Sequence, residues 1–362
     1  MIKMPTRRNM HLAGIGVAAP EQRYTQIEIW EALAQAPQFA SLTPRSQLLV
    51  RKVLHADNGI DARHLSLNSL DAAFNLTPDS LHSRFSKAAP ELALQAAEKA
   101  LAQARLTPAD IDGLVISTCT GYLCPGLTSY VSERMGIPTS AHMLDLVGHG
   151  CAAAAPTLRA AEGMLASKQA KVVLAICVEV CSAALYLDND PGVLISACLF
   201  ADGAGAMILA HEPSQISGRT VRWRGSRGML SHQDRDFLRF ESRGGMLRNL
   251  LSREVPTLVG KHAASVLQTA QKELEFDRAD IQQWIVHAGG RDILHSVQLA
   301  LRLAPQDLER SAEILREFGN VSSSSVFFVM DRALASGAPD GLWWMTTFGA
   351  GMACYGALWE VS

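Results

Sequence analysis

The sequence predicts an α/β fold built from two similar halves, and three observations carry that expectation. Strand-like apolar runs alternate with amphipathic helical segments through most of the chain. At least one run, Val172–Val180, is apolar apart from Glu179 and rich in β-branched residues, as a central strand covered on both faces should be. The chain also echoes itself. Ala109-Asp110-Ile111 follows a helical segment and enters a strand, and Ala279-Asp280-Ile281 does the same 170 residues later.

Taken in order, Glu91–Ala104 carries Leu92, Leu94, Ala97, Ala100 and Leu101 at helical spacing and leads into a short strand, Leu114–Ser117. Ala206–Leu209, Trp284–His287 and Trp343–Thr347 read as further strands, while Val326–Met330 fits strand or helix equally well. Glu, Pro, Ser and Gly cluster across His211–Gly218, which divides the chain into 1–215 and 216–362. Adding 170 to Cys151 gives a position one past Asn320. If the halves face each other across a pseudo-twofold axis, the helix starts at Cys151 and Asn320 meet there.

Composition excludes several classes. With 362 residues, 48% hydrophobic, 19% charged and a net charge of −2, the chain has ample core and no basic surplus for nucleic acid or an anionic membrane. No run of about 18 apolar residues is present, and the basic stretch Met1–Met10 lacks a following apolar segment, so a soluble, cytoplasmic enzyme is expected. The seven cysteines form no disulfide framework, and Cys177 and Cys181 have no second Cys or His pair, so no metal is expected. Leu199-Phe-Ala-Asp-Gly-Ala-Gly205 precedes a strand rather than opening a helix. No nicotinamide cofactor is expected there.

Three residues stand out chemically. Gly148-His-Gly150-Cys151 begins a long helical stretch, and its glycines permit a tight turn that leaves the thiol at a helix start. A helix end stabilises a thiolate by only about 0.3–1 kcal/mol, less than one pKa unit, so an imidazole partner is required. The alternative is a small buried core cysteine. His287 ends a buried strand before Gly289 and Gly290, where ligand chemistry gathers in α/β sheets; a satisfied core histidine is the alternative. Asn320, in Gly319-Asn-Val-Ser-Ser, reads either as an N-cap or as an amide donor for a developing oxyanion. Phe348-Gly349-Ala350-Gly351 is either a hairpin turn or a backbone cradle beside the thiol.

Together Gly150-Cys151, His287-Ala-Gly-Gly, Gly319-Asn320-Val-Ser-Ser, Leu199-Phe-Ala-Asp-Gly-Ala and Phe348-Gly-Ala-Gly resemble the chalcone-synthase-like (type III) polyketide synthases of the thiolase and ketosynthase superfamily, from about Leu12 to Glu360. The resemblance implies a duplicated thiolase-like fold in αβαβα layers and a homodimer. It implies a decarboxylative condensation of an acyl-CoA starter with malonyl-CoA, both as substrates and not cofactors. Cys151 would carry the acyl group, His287 would hold that cysteine as a thiolate in an ion pair and then hydrogen-bond the thioester carbonyl, and Asn320 would join His287 in stabilising the enolate. Phe200 matches one gatekeeper of the cavity; the second falls within Leu247–Leu251, which holds no Phe. Cys119 and Glu179 match cavity residues, as do Phe348 and Gly349, and Cys124 would project toward a partner subunit. Gly289, Gly290, Asp292 and Ser322 would lie along bound CoA, with Arg51 and Lys52 near its phosphates. Ala288 stands where the family usually has Pro after its His, and Ala350 where its C-terminal loop has Pro. The rival reading is a ketoacyl synthase III-like enzyme that takes malonyl from a carrier protein.

Overall fold

The structure is a computed structural model that describes residues 10–362; the basic stretch ahead of Met10 lies outside the described residues. Its first half contains β1 (His11–Ala18), α1 (Pro78–Ala104), β2 (Gly113–Ser117), β3 (His142–Leu146), α2 (Ala154–Ala166), β4 (Val172–Glu179) and β5 (Gly203–Ala210). The second contains β6 (Arg219–Leu230), α3 (Val255–Leu274), β7 (Ile281–Val286), α4 (Arg291–Leu301), α5 (Ser325–Ala335), β8 (Gly341–Gly349) and β9 (Ala353–Val361). The first sub-sheet runs β3-β2-β4-β5-β1, with β5 antiparallel to the others. The second runs β7-β8-β9-β6, with β9 antiparallel, which is the same order without the outermost strand. They join where β1 and β6 pair His11 with Arg222.

Helix contacts turn the two sub-sheets into layers. α1 covers β1, β4 and β5 from outside, and α3 covers β6 and β9 on the opposite flank. α2 touches β2 and β4 of one sub-sheet and β8 and β9 of the other, while α5 touches β1, β5, β7 and β8. These two helices therefore form a middle layer, giving the duplicated αβαβα thiolase-like fold. α5 contains Val326–Met330, buried throughout. A helix wrapped by two sheets has no polar stripe, so its sequence lacks the 3.6-residue period that separates helix from strand.

Small residues set the layer spacing. Gly14 and Gly16 of β1 lie under α1, where an added Cβ would stand 2.2 Å from the Ala100 carbonyl oxygen and 2.4 Å from that of Ala96. Ala89, Ala93, Ala96, Ala97 and Ala100 of α1 are buried, so the helix rests directly on the strand backbone. Thr77 caps α1 by accepting from Ser80 N–H, with Pro78 in the first turn. The repeated Ala-Asp-Ile is itself a capping device. Thr107 N–H donates to Asp110 Oδ2 at 2.8 Å ahead of β2, and Asp277 N–H to Asp280 Oδ2 at 2.9 Å ahead of β7.

A separate apolar cluster lies outside these layers. The helices Gln26–Gln35 and Pro44–His55 pack with the Pro191–Leu199 helix around Ile29, Leu33, Val50, Leu54 and Leu194. The hairpin Leu238–Arg243 with Met246–Leu251 closes against Pro191–Leu199. Among the described residues no helix is long and apolar enough to cross a membrane.

Candidate active site

Cys151 sits in the 3₁₀ turn Gly150–Ala152 that feeds α2, entered through Gly148 at φ +90° and Gly150 at φ +54°. Both values lie in the left-handed region that favours glycine. The β8–β9 turn presses on this one. A Cβ on Gly349 would stand 2.3 Å from Ala152 N and 2.5 Å from the His149 carbonyl oxygen, and Thr347 Oγ1 donates to the Ala152 carbonyl at 3.2 Å. Phe348–Gly351 is thus a hairpin turn and a backbone cradle at once.

His287 directly follows β7, and its N–H donates to the Thr346 carbonyl of β8 at 3.1 Å. Its Nδ1 lies 2.5 Å from Ser325 Oγ, and its ring stands edge-on to Phe348 with centroids 6.1 Å apart. Asn320 is fixed by backbone bonds on both sides of Phe200: its N–H donates to the Leu199 carbonyl, and the Ala201 N–H donates to its own carbonyl, each at 2.9 Å. Its Oδ1 accepts from Ser322 N–H at 2.9 Å, an Asx turn rather than a cap on α5. Its Nδ2 donates to the Gly289 carbonyl at 3.0 Å, binding the Asn320 turn to the His287 loop and leaving one further N–H.

Ser322 connects these turns to the thiols. It adopts φ +51°, and its hydroxyl lies 3.2 Å from Cys151 Sγ and 3.7 Å from Cys119 Sγ. Behind it Glu179, fully buried, accepts from Ser323 Oγ at 2.6 Å, Thr120 Oγ1 at 2.9 Å and Cys119 N–H at 3.0 Å. Burial raises the Glu179 pKa, and these donors only partly oppose it. Burial also pushes the Cys151 thiol up to about 12 and lowers His287 to about 4. Desolvation opposes charge on both groups, against the small stabilisation that a helix start offers a thiolate.

The remaining expected residues fall around this centre. Phe200 lines an apolar cavity that runs from Ser322, Thr120 and Cys181 to the leucines under Gln26–Gln35 and Pro44–His55. Phe240 and Asn249 of the Leu238–Leu251 hairpin close its side. The sequence offered no motif for either, nor for Ser325. Ser322, expected along bound CoA, is instead an inner residue, 1% exposed and bonded to the thiols. Gly289 and Gly290 precede α4, whose first turn carries exposed Asp292; Arg51 and Lys52 are exposed on Pro44–His55. The Arg291 guanidinium donates to the Asp57 carbonyl, so these two segments lie side by side. Cys124 and Tyr122 are exposed after β2. Asp202 of the Leu199–Gly205 motif is structural: it accepts from Ser66 N–H at 2.6 Å and from Ser182 N–H at 2.8 Å.

Residues 22–235 match the family described as FAE1/type III polyketide synthase-like protein, and 239–354 match the C-terminal domain of chalcone and stilbene synthases. The chain belongs to the type III polyketide synthases. As a type III polyketide synthase it is an acyltransferase that works on CoA thioesters. It is 28% identical over 342 residues to a 3,5-dihydroxyphenylacetyl-CoA synthase of Streptomyces toyocaensis, covering 92% of this chain and 85% of that protein. It is 28% identical to a 1,3,6,8-tetrahydroxynaphthalene synthase of Streptomyces peucetius subsp. caesius, covering 93% and 89%. Among solved structures, PKS-I of the brown alga Ectocarpus siliculosus superimposes with a TM-score of 0.89 at 25% identity, over 99% of this chain and 100% of that one. The synthase fold is also that of 1,3,6,8-tetrahydroxynaphthalene synthase from Streptomyces coelicolor A3(2), with a TM-score of 0.85 at 24% identity, over 97% and 99% of the two chains.

Proposed function

We propose that this polyketide synthase loads a starter acyl group on Cys151 and extends it with malonyl-CoA, using His287 and Asn320 as the catalytic partners. The supporting observation is the linkage of three distant turns: Ser322 joins Asn320 to Cys151, and the Gly289 carbonyl joins Asn320 to the His287 loop. With His287 Nδ1 engaged by Ser325 Oγ, Nε2 is the ring nitrogen left to accept the thiol proton, in the tautomer that carries its proton on Nδ1. Proton transfer and sulfur attack then proceed together on the bound thioester, because burial disfavours a free thiolate beforehand. CoA leaves and the acyl–sulfur bond remains. Loss of carbon dioxide from malonyl-CoA creates the carbanion directly, so no carboxylate base is needed. The developing oxygen charge is met by the His287 imidazolium and the second Asn320 N–H. The enolate carbon attacks the Cys151 thioester, forms the new carbon–carbon bond and frees the sulfur.

Arg51, Lys52, Gly289, Gly290 and Asp292 border the CoA entrance in this reading. Labour divides with the halves: 1–215 supplies the thiol, and 216–362 the imidazole and the amide. The reaction needs no metal or nicotinamide. The protein acts in the cytoplasm as a homodimer, a state supported by β3, an edge strand whose Met143 and Leu144 are exposed beside Val147 and Tyr122.

Purified protein given an acyl-CoA and malonyl-CoA, with no carrier protein, should release CoA and yield extended products by mass spectrometry. Activity only when malonyl is carrier-bound would favour the ketoacyl synthase III-like alternative. Cys151→Ala should form no acyl adduct; an adduct of unchanged mass and yield on that variant removes Cys151 from the mechanism.

A further inference from the structure

The hairpin that closes the side of the cavity is held by a buried cation. Arg248 is 8% exposed and lies on the Met246–Leu251 strand, next to Asn249 on the cavity wall. Its guanidinium meets three carboxylates: Asp188 Oδ2 at 2.7 Å from Nε, Glu241 Oε1 at 3.0 Å from Nη1 and Asp190 Oδ2 at 3.4 Å from Nη2. Glu241 is its partner across the hairpin, whereas Asp188 and Asp190 belong to the loop that enters the Pro191–Leu199 helix. A planar fork with donors on three nitrogens can bridge such a set, and a lysine cannot.

Asp190 also caps that helix, its Oδ1 accepting from Gly192 N–H at 2.8 Å and Val193 N–H at 3.3 Å. The strand backbone lies directly on the capped turn: a Cβ on Gly192 would stand 2.0 Å from the Leu251 carbonyl oxygen. Arg248 therefore ties the hairpin to the helix close to where their backbones meet. Arg239 and Arg243 approach Glu241 and Asp188 at 3.1 and 4.0 Å, but from more exposed positions. Without the Arg248 charge, Glu241 on the hairpin would repel Asp188 and Asp190 across the joint.

We infer that Arg248 is a positioning residue for chain extension: it keeps the hairpin seated, so that water stays out of the cavity while an acyl group waits on Cys151. A loosened hairpin admits water, which attacks the thioester carbonyl. The carbon–sulfur bond breaks, the acyl group leaves as a carboxylic acid, and the thiol regains its proton. Hydrolysis then competes with extension. The inference rests on the assignment of Cys151 as the acyl acceptor, and the experiment separates the two.

Acetyl-, hexanoyl-, octanoyl- and benzoyl-CoA are offered to the wild type, and the one that loads fastest is used throughout. Loading is timed by intact mass, and so is loss of the adduct once free acyl-CoA is removed and with no malonyl-CoA present. Cys151 and His287 are held through Ser322, Gly349, Thr346 and Ser325, not through Arg248. Arg248→Met should therefore load within about twofold of the wild type, yet lose its adduct to hydrolysis roughly tenfold faster. With malonyl-CoA restored, its products should shift from extended chains to free starter acid. Adding Glu241→Gln to Arg248→Met removes one repelling charge and should recover much of the lifetime, which a packing defect would not allow. Arg248→Lys should fall between, and serves if Arg248→Met does not fold. A wild-type adduct lifetime in the variant tested overturns the inference and leaves Cys151 in its role. So does a loading rate that falls as far as the lifetime, or a lifetime that Glu241→Gln does not recover. Failure of all four thioesters to load overturns the Cys151 assignment and this inference with it.

Discussion

Cys151 and His287 both sit where burial opposes charge, raising the thiol pKa and lowering that of the imidazole. This leaves a mark on stability. Burial lowers His287 from its ordinary 6.5 to about 4, so the unfolded chain takes up a proton first as pH falls. The native state thus keeps its full advantage above about pH 6.5 and loses about 3 kcal/mol between there and pH 4. Urea melts at steps across that window should show His287→Gln with a shallower acid limb than the wild type; parallel limbs would mean the imidazole is not held neutral. In the proposed mechanism Asn320 belongs to the chemistry of the second step. Asn320→Ala should still form the acyl-enzyme but decarboxylate malonyl-CoA roughly 100-fold more slowly, read as carbon dioxide release.

At the scale of the element, the site is an assembly of turns pressed together. The 3₁₀ turn at Cys151, the β8–β9 turn at Gly349 and the turn after Asn320 each end or begin a longer element; the Cys151 turn meets the Gly349 turn through backbone and the Asn320 turn through the Ser322 hydroxyl. Gly349→Ala places a methyl group 2.3 Å from Ala152 N, so the turn that presents the thiol must move. The expected result is a loss of about 1–3 kcal/mol in stability and slower acyl loading than the melting curve alone explains. Wild-type loading in a stable Gly349→Ala protein would show that the cradle does not position the sulfur.

The same scale explains what the sequence could and could not reveal. Cys151, His287 and Asn320 were legible because each sits beside glycines at the boundary of a strongly patterned element, and the echo of Ala-Asp-Ile gave the duplication. Ser322 and Ser325 were harder: in a run of four serines, nothing local says which hydroxyl meets a sulfur and which an imidazole. Asn249 and Phe240 were out of reach, since a hairpin strand with mixed residues does not announce which face looks into a cavity. Val326–Met330 stayed ambiguous because full burial removes the periodicity that tells helix from strand.

Across the whole molecule, β3 is the least finished part. It is the outer strand of the first sub-sheet, with Met143 37% and Leu144 36% exposed and Val147 61% exposed just beyond. Such an edge invites pairing with a second copy. On the proposed homodimer, Leu144→Asp should sediment as a monomer at micromolar concentration where the wild type sediments as a dimer; a dimeric variant would move the interface elsewhere, and a monomeric wild type would remove the proposed dimer.

The middle layer carries a consequence of its own. α2 belongs by sequence to the first half and α5 to the second, yet each leans on strands of both. Neither half owns its inner wall. A chain cut within 211–218 would yield two pieces that each expose a greasy helix until they meet, so neither piece should hold its fold without the other.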